Sequence, residues 1–341
     1  MANSQILITG GFGYIGSHTV LQLLEANYSL VILDNFSNSN KGVIDRINKI
    51  AKKNFFTIEG DITDRNIVRD IFSKFNIKGV IHLAGLKSVE ESEIDPLKYY
   101  KNNVYGSLVL FEEMEAANIK NIVFSSSATV YGKKINPLLN EECSLSPANV
   151  YGETKVVIEN ILRDLYKTSA GWKVVILRYF NPIGAHPSGF IGESPSDLPN
   201  NLMPYISQVA VGKRDKLLIF GDDYPTSDGT GKRDYIHVCD LAKAHLLSLN
   251  YLFENESLFS IFNIGTGKSY SVLEVIKIFE KVSGVNIPFE ITARRLGDVA
   301  ECIADPTKAK RILGWEAELD LYRMCEDSWR WQKQNPNGIQ M

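Results

Sequence analysis

Six short apolar runs limit what this chain can fold into: QILIT (5–9), SLVIL (29–33), FFTIE (55–59), GVIHL (79–83), NIVFS (121–125) and KVVILRYF (173–180). Their apolar residues are nearly continuous rather than alternating, as in strands buried on both faces of a parallel sheet. Amphipathic stretches of helical period separate them, at roughly 14–26, 41–52, 64–76, 95–118 and 149–169. Strand–helix alternation of this kind predicts a doubly wound α/β sheet with right-handed crossovers. After Phe180 the character changes, and residues 181–201 are rich in Pro, Gly, Ser and Asn. A long irregular stretch of that composition lines a site more often than a core. Shorter elements are expected beyond it: helices over 202–212, 239–252, 271–283 and 319–333, and strands over 217–220 and 260–264. They read as a smaller lobe packed at the carboxyl edge of the sheet. The expected division is 1–180 for the sheet and 181–341 for the lobe, with the chain free to cross between them.

The first run leads directly into a glycine turn. ILITGGFGYIG places Gly10, Gly13 and Gly16 after a strand and at the start of a helix. The spacing is G-x-x-G-x-x-G rather than the usual G-x-G-x-x-G. It serves the same purpose: a tight turn, close backbone approach, and a helix N-terminus facing a pyrophosphate. The second strand ends at Asp34, eighteen positions after Gly16, where a carboxylate accepts from an adenosine ribose hydroxyl. Strand, turn, helix, strand and acid in that order predict a Rossmann-type NAD site, and the absence of a neighbouring Arg favours NAD over NADP. Asp61 ends the third strand within reach of an adenine. LAGLK (83–87) closes the fourth with small residues, and Lys87 adds a charge there.

Composition narrows the class further. A net charge of −3 argues against nucleic acid or an anionic membrane as the main partner. No apolar run approaches the ~18 residues of a membrane span. The four cysteines are scattered, with no C-x-x-C, and the five histidines form no H-x-x-x-H pair. The expectation is a soluble cytoplasmic protein without disulfides, leader or metal.

The reactive group is expected just past the fifth strand, in SSSATVYG (125–132), and at Tyr151 with Lys155 one helical turn on. A phenol near an ammonium is favoured as phenolate, which makes a base near neutral pH. About one Tyr-x-x-x-Lys match is expected by chance in a chain of this composition. Its position distinguishes this one, because it opens the helix that follows the serines, at the carboxyl edge of the sheet.

A glycine turn, a serine at the end of the fifth strand and Y-x-x-x-K resemble the extended short-chain dehydrogenase/reductase family. The strings TGGFGYIGSHT, LDNFSNS, FSSSATVYG, LRYFNPIGAHPSG, PNNLMPYI and DGTGKRDYIHVCDLA resemble more closely the UDP-hexose 4-epimerases, over essentially the whole chain. That resemblance implies a homodimeric isomerase in which NAD is tightly bound and regenerated at each turnover. It makes Ser127 the catalytic serine, leaving Ser125 and Ser126 to satisfy loop backbone. Tyr151 would take the proton from the sugar O4, Ser127 would relay it, and Lys155 would bind the nicotinamide ribose and lower the Tyr151 pKa. The cofactor site implied comprises Gly10, Gly13, Tyr14, Ile15, Gly16, Asp34, Asn35, Asp61 and Ile62 around the first three strands. Leu83, Ala84, Gly85, Lys87, Asn102 and Phe180 complete it.

On the substrate side the resemblance implies Tyr179 and Asn181 facing the hexose, with Asn201, Leu202 and Phe220 contacting the nucleotide sugar. Arg233 and Arg295 suit the diphosphate, since guanidinium groups recognise paired anions bidentately. Asp298 would hold the uridine ribose, and His237 is expected to be structural. Cys302 falls where epimerases strict for glucose and galactose resemble one another in carrying a bulky Tyr. Those accepting N-acetylhexosamines have a smaller residue, so Cys302 implies both substrate pairs. Three rivals are weighed against this. A 4,6-dehydratase would need carboxyl groups where Ala128 and Thr129 stand; an NAD-sensing regulator would not need Ser127, Tyr151 and Lys155 together; a reductase would release NADH. Phe12 is bulkier than the Ala or Ser often seen in the turn, and the loop between Gly132 and Pro147 is short.

Overall fold

The computed structural model describes residues 4–195, 199, 201–295 and 298–340. Seven parallel strands form the main sheet: β1 (Gln5–Thr9), β2 (Ser29–Asp34), β3 (Phe56–Glu59), β4 (Ile77–His82), β5 (Asn121–Ser127), β6 (Lys173–Tyr179) and β7 (Leu258–Ile264). They lie in the order β7-β6-β5-β4-β1-β2-β3. The direction of winding reverses between β1 and β4, and such a reversal opens a crevice at the carboxyl ends.

The continuous apolar runs have a direct cause. Successive strand residues point to opposite faces, and both faces are covered except at the edge strand β3, where Phe56, Thr57 and Glu59 are exposed, against the expectation for the FFTIE run. Ile6, Ile8, Ile32, Ile81, Val123 and Val175 pack with Val20 and Leu24 of helix Tyr14–Glu25 and with Leu241 and Leu249 of helix Val238–Glu254. The alternate residues Leu7, Val31, Val80, Ile122, Phe124 and Val174 pack on Val68 of helix Arg65–Lys74, Val109 of helix Gly106–Ala116 and Ile158 of helix Val150–Thr168.

The smaller lobe has its own core, around Met203, Ile206, Ile219, Tyr235, Ile276, Phe279 and Met324. Its central strand, Lys232–His237, pairs with Ser269–Ser271, Glu301–Ala304 and Asn181–Ile183, and Glu301–Ala304 takes on Leu138–Leu139 as its outer neighbour. A separate parallel pair joins Leu217–Phe220 to Phe289–Thr292.

Two expectations need correction. The strand expected at 260–264 in the smaller lobe is β7 of the main sheet, paired with β6 along its whole length, and the helix before it packs against Tyr14–Glu25. The three serines are not a loop either, because β5 continues through Ser127. Ser125 donates to His245, whose Nδ1 proton is committed to the Leu241 carbonyl, and Ser126 donates to Glu159. Both hydroxyls bind side chains in the core rather than loop backbone. Among the described residues no helix is long and apolar enough to cross a membrane.

Candidate active site

The glycine turn fits a dinucleotide sterically. Gly10 has φ +70°, and a Cβ on it would stand 2.7 Å from the Ala84 amide; on Gly16 it would stand 2.2 Å from the Gly10 carbonyl. Side chains are thereby excluded from the crevice. Gly13 caps helix Tyr14–Glu25 with no side-chain bond, which leaves the first-turn amides, including those of Ile15 and Gly16, to face an anion. Asp34 is buried, and its carboxylate accepts from the Phe12 and Phe36 amides and from Ser39. Phe12 points away from the crevice, stacked on Phe36 with ring centroids 5.4 Å apart, so its bulk lies in the core. Asn35 donates to Asp61 at 2.7 Å. Burial works against the Asp61 carboxylate, but hydrogen bonds from Thr63 and Asn35 outweigh it and hold its pKa below the ordinary value. Ile62 is buried beside Gly106.

The exit of β4, Leu83 to Lys87, is pinned from behind. Helix Pro96–Tyr99 runs through a π-helical turn, Tyr100–Tyr105, into Gly106–Ala116, a bulge of the kind that collects at functional sites. Asn102 is partly buried in that turn. Asn103, which sequence reasoning missed, is fully buried. Its amide oxygen accepts from the Leu86 amide at 2.8 Å, and its nitrogen donates to the Leu86 carbonyl and to Thr154. Nothing in the local sequence separates it from Asn102, since only the widened turn decides which of the two faces inward. Lys87 bridges to Glu193 at 3.0 Å, and Asn201 donates to the same carboxylate oxygen. The Tyr14 hydroxyl donates to the Gly184 carbonyl, so the dinucleotide helix is tied to the irregular segment.

Ser127, Tyr151 and Lys155 lie close together. Asn149 caps the helix by accepting from Gly152, and Tyr151 and Lys155 both lie on its buried face. Burial pushes the Tyr151 phenol up to about 12, opposed by a hydrogen bond with Ser127. Ser127 also accepts from the Thr129 amide and hydroxyl. Burial pulls Lys155 down to about 8, with Glu159 opposing. The expected lowering of Tyr151 by Lys155 does not occur in this arrangement. The ammonium is turned to the Ser125 carbonyl at 2.9 Å and lies 5.9 Å from the Tyr151 ring centroid. Tyr179, at the end of β6, is an electrostatic neighbour of Tyr151, and burial raises its phenol strongly.

The opposite wall belongs to the smaller lobe. Asn181 is exposed at the start of its strand and in register with Tyr235. Asn201 precedes helix Leu202–Ala210, whose first residue is Leu202. Arg233 donates to the Val299 carbonyl and pairs with Asp298 at 3.2 Å, and Arg295 lies 3.8 Å from the centre of the Phe220 ring. Leu296 and Gly297 of the RRLGD motif lie outside the described residues. Cys302 is in register with Arg233, and it packs on a cluster containing Phe180, Tyr131 and Leu139. His237 is enclosed and structural in its contacts, accepting from the Cys239 amide and meeting Asp327 at 3.3 Å.

Residues 7–328 match the model of the GDP-mannose 4,6 dehydratase family. The UDP-glucose 4-epimerase of Bacillus subtilis (strain 168) is 54% identical over 333 residues, 98% of each chain. The chain belongs to the UDP-glucose 4-epimerase family. A Bifidobacterium longum member of that family, solved with NAD+ and UDP, is 46% identical with a TM-score of 0.95, covering 98% of this chain and 100% of that one. The UDP-Glc/GlcNAc 4-epimerase of Campylobacter jejuni is 39% identical with a TM-score of 0.84, covering 97% and 100%. The turn Ala128–Tyr131 after Ser127 holds no carboxyl group. Membership makes the chain an enzyme of the 4-epimerase type.

Proposed function

We propose that this enzyme interconverts UDP-glucose and UDP-galactose at C4, and UDP-GlcNAc and UDP-GalNAc as well. The observation that carries the reading is the meeting of the Ser127 and Tyr151 hydroxyls, with Lys155 one turn away, between a bare glycine turn and a guanidinium-lined wall. NAD, when bound, would supply the hydride acceptor and donor that oxidation and reduction at C4 need. Gly10, Gly13, Gly16 and the amides of Tyr14 and Ile15 would hold its pyrophosphate, and Asp34, Asn35 and Asp61 its adenosine end. Ile62, Leu83, Ala84, Gly85, Lys87, Asn102 and Phe180 would line the remainder.

Tyr151 takes the proton from O4 as C4 is oxidised and gives it back on reduction. Ser127, bonded to both that phenol and Thr129, holds the O4 oxygen in line. The ammonium of Lys155 stays charged below about pH 8 and would bind the nicotinamide ribose. Arg233 and Arg295 would clamp the diphosphate. Asp298, Phe220, Asn201 and Leu202 would hold the nucleoside, and Tyr179 and Asn181 the hexose. A cytoplasmic homodimer belongs to the same reading.

The wider substrate range rests on Cys302, whose small side chain packs on the cluster that contains Phe180. A thiol there leaves room for an acetamido group to swing as the keto sugar turns over. The test is an assay of all four UDP-sugars with wild type and Cys302→Tyr. Wild type should convert both pairs. The variant should lose the N-acetyl reaction by about tenfold or more and keep the other. Equal loss on both pairs would make Cys302 a packing residue only.

A further inference from the structure

The proposed roles of Ser127, Tyr151 and Lys155 leave unused a buried carboxylate directly behind them. Glu159 lies one helical turn past Lys155 and is wholly enclosed. Its oxygens accept from Ser126 Oγ at 2.6 Å and from Arg178 Nε and Nη2 at 3.0 and 2.6 Å. Ser126 immediately precedes Ser127, and Arg178 immediately precedes Tyr179. A single carboxylate thus joins the catalytic helix to the last residues of β5 and of β6. Arg178 continues the chain to the Tyr131 hydroxyl at 3.1 Å, and Tyr131 donates to Asn263 on β7 at 2.6 Å.

We propose, resting on the 4-epimerase reading, that Glu159 is a positioning residue: it sets Ser127 and Tyr179 against Tyr151 and supplies the fixed anion behind Lys155. The surroundings of Lys155 make that anion matter. From β5 it meets the Ser125 carbonyl and the Phe124 ring, from its own helix Tyr151 and Glu159, from β4 the neutral His82, and from the β4 exit Gly85. Among these, Glu159 alone is anionic, and it is the group that opposes the effect of burial on the ammonium. Arg178 faces the same carboxylate and shares its charge. A serine fixed by an uncharged partner would be held in place as well, but Lys155 would lose its counter-charge.

The first test is Glu159→Gln in the holoenzyme, assayed on UDP-galactose across pH. It keeps the size and an acceptor for Ser126 and removes the charge. The expected result is KM within about twofold, kcat lower by about tenfold, and the alkaline limb of kcat moved to lower pH by about half a unit or more. Wild-type kcat and pH profile in a folded variant would overturn the inference, whatever happens to its melting temperature. An unpaired buried guanidinium threatens folding, so Glu159→Met with Arg178→Met is the second variant, removing both charges together. A folded double variant should show a kcat loss of the same order with a smaller shift of the alkaline limb, and a wild-type kcat would overturn the inference. If neither variant folds, Ser126→Ala decides: an unaltered kcat overturns it, and a loss of about threefold or more at constant KM sustains it. An inactive wild type would refute the functional reading itself, and the inference with it.

Discussion

The two walls of the crevice are built from different material. The dinucleotide wall is mostly backbone: a glycine turn in which any Cβ would collide, an uncapped helix end, and strand exits fixed by the buried Asn103. The sugar-nucleotide wall is made of side chains, with Arg233 paired to Asp298 and Arg295 laid over Phe220 near the surface. A backbone wall allows little adjustment without disturbing the fold, which suits a group kept through every turnover. A side-chain wall can open, exchange its ligand and change specificity by single substitutions. The hydroxyls of Ser127 and Tyr151 stand where the two meet.

The largest effect should come from that junction. Tyr151→Phe should keep its cofactor and bind UDP-sugar, and lose at least about a hundredfold in kcat, because only the proton acceptor is gone. A variant retaining more than about a tenth of the wild-type rate would remove Tyr151 from the role of base.

A pair of substitutions sharpens the contrast between the walls. In Gly16→Ala the new methyl would stand 2.2 Å from the Gly10 carbonyl, so stability and cofactor retention should fall together. Arg295→Met should leave the melting temperature unchanged and raise KM by about ten- to a hundredfold, the worth of a hydrogen-bonded charge. The comparison breaks if Gly16→Ala melts like wild type, or if Arg295→Met loses cofactor.

A further expectation concerns the pH dependence of stability. Burial holds His18, on the dinucleotide helix, and His82, at the end of β4, down to about 3, and His245, behind β5, down to about 4. Their unfolded value is about 6.5, so between these limits the unfolded chain binds more protons. Stability is therefore complete above about pH 6.5 and is lost as pH falls toward 4. Melting temperature followed from pH 8 to pH 4 should be flat and then decline. A curve flat to pH 4 would mean that these rings are solvated.

Most of the sheet was legible because strands covered on both faces are apolar almost throughout, and the runs at 5–9, 29–33 and 121–125 announce themselves in this way. The glycine turn and the Tyr151–Lys155 pair were legible because local spacing alone places them. Leu138–Leu139 and Glu301–Ala304 carry too few apolar side chains to stand out from their surroundings. Placement of β7 depends on which edge it meets, and sequence proximity to the lobe misled. The mates of Ser125 and Ser126 lie 120 and 33 residues away, and no local pattern encodes such pairs. Glu159 did leave a trace, in its spacing of four from Lys155, but a helical glutamate is ordinarily solvated and drew no notice.

The return of the chain to complete the sheet has a consequence for how the protein is made. β6 is finished at Tyr179, yet its partner β7 ends only at Ile264. A ribosome adding roughly 5–20 residues each second needs several seconds to synthesise the intervening stretch. Throughout that interval the VVIL edge of β6 is an open, apolar template for any other strand. Nascent chains stalled between these points should be the ones that aggregate or engage chaperones, whereas chains released past Ile264 should not.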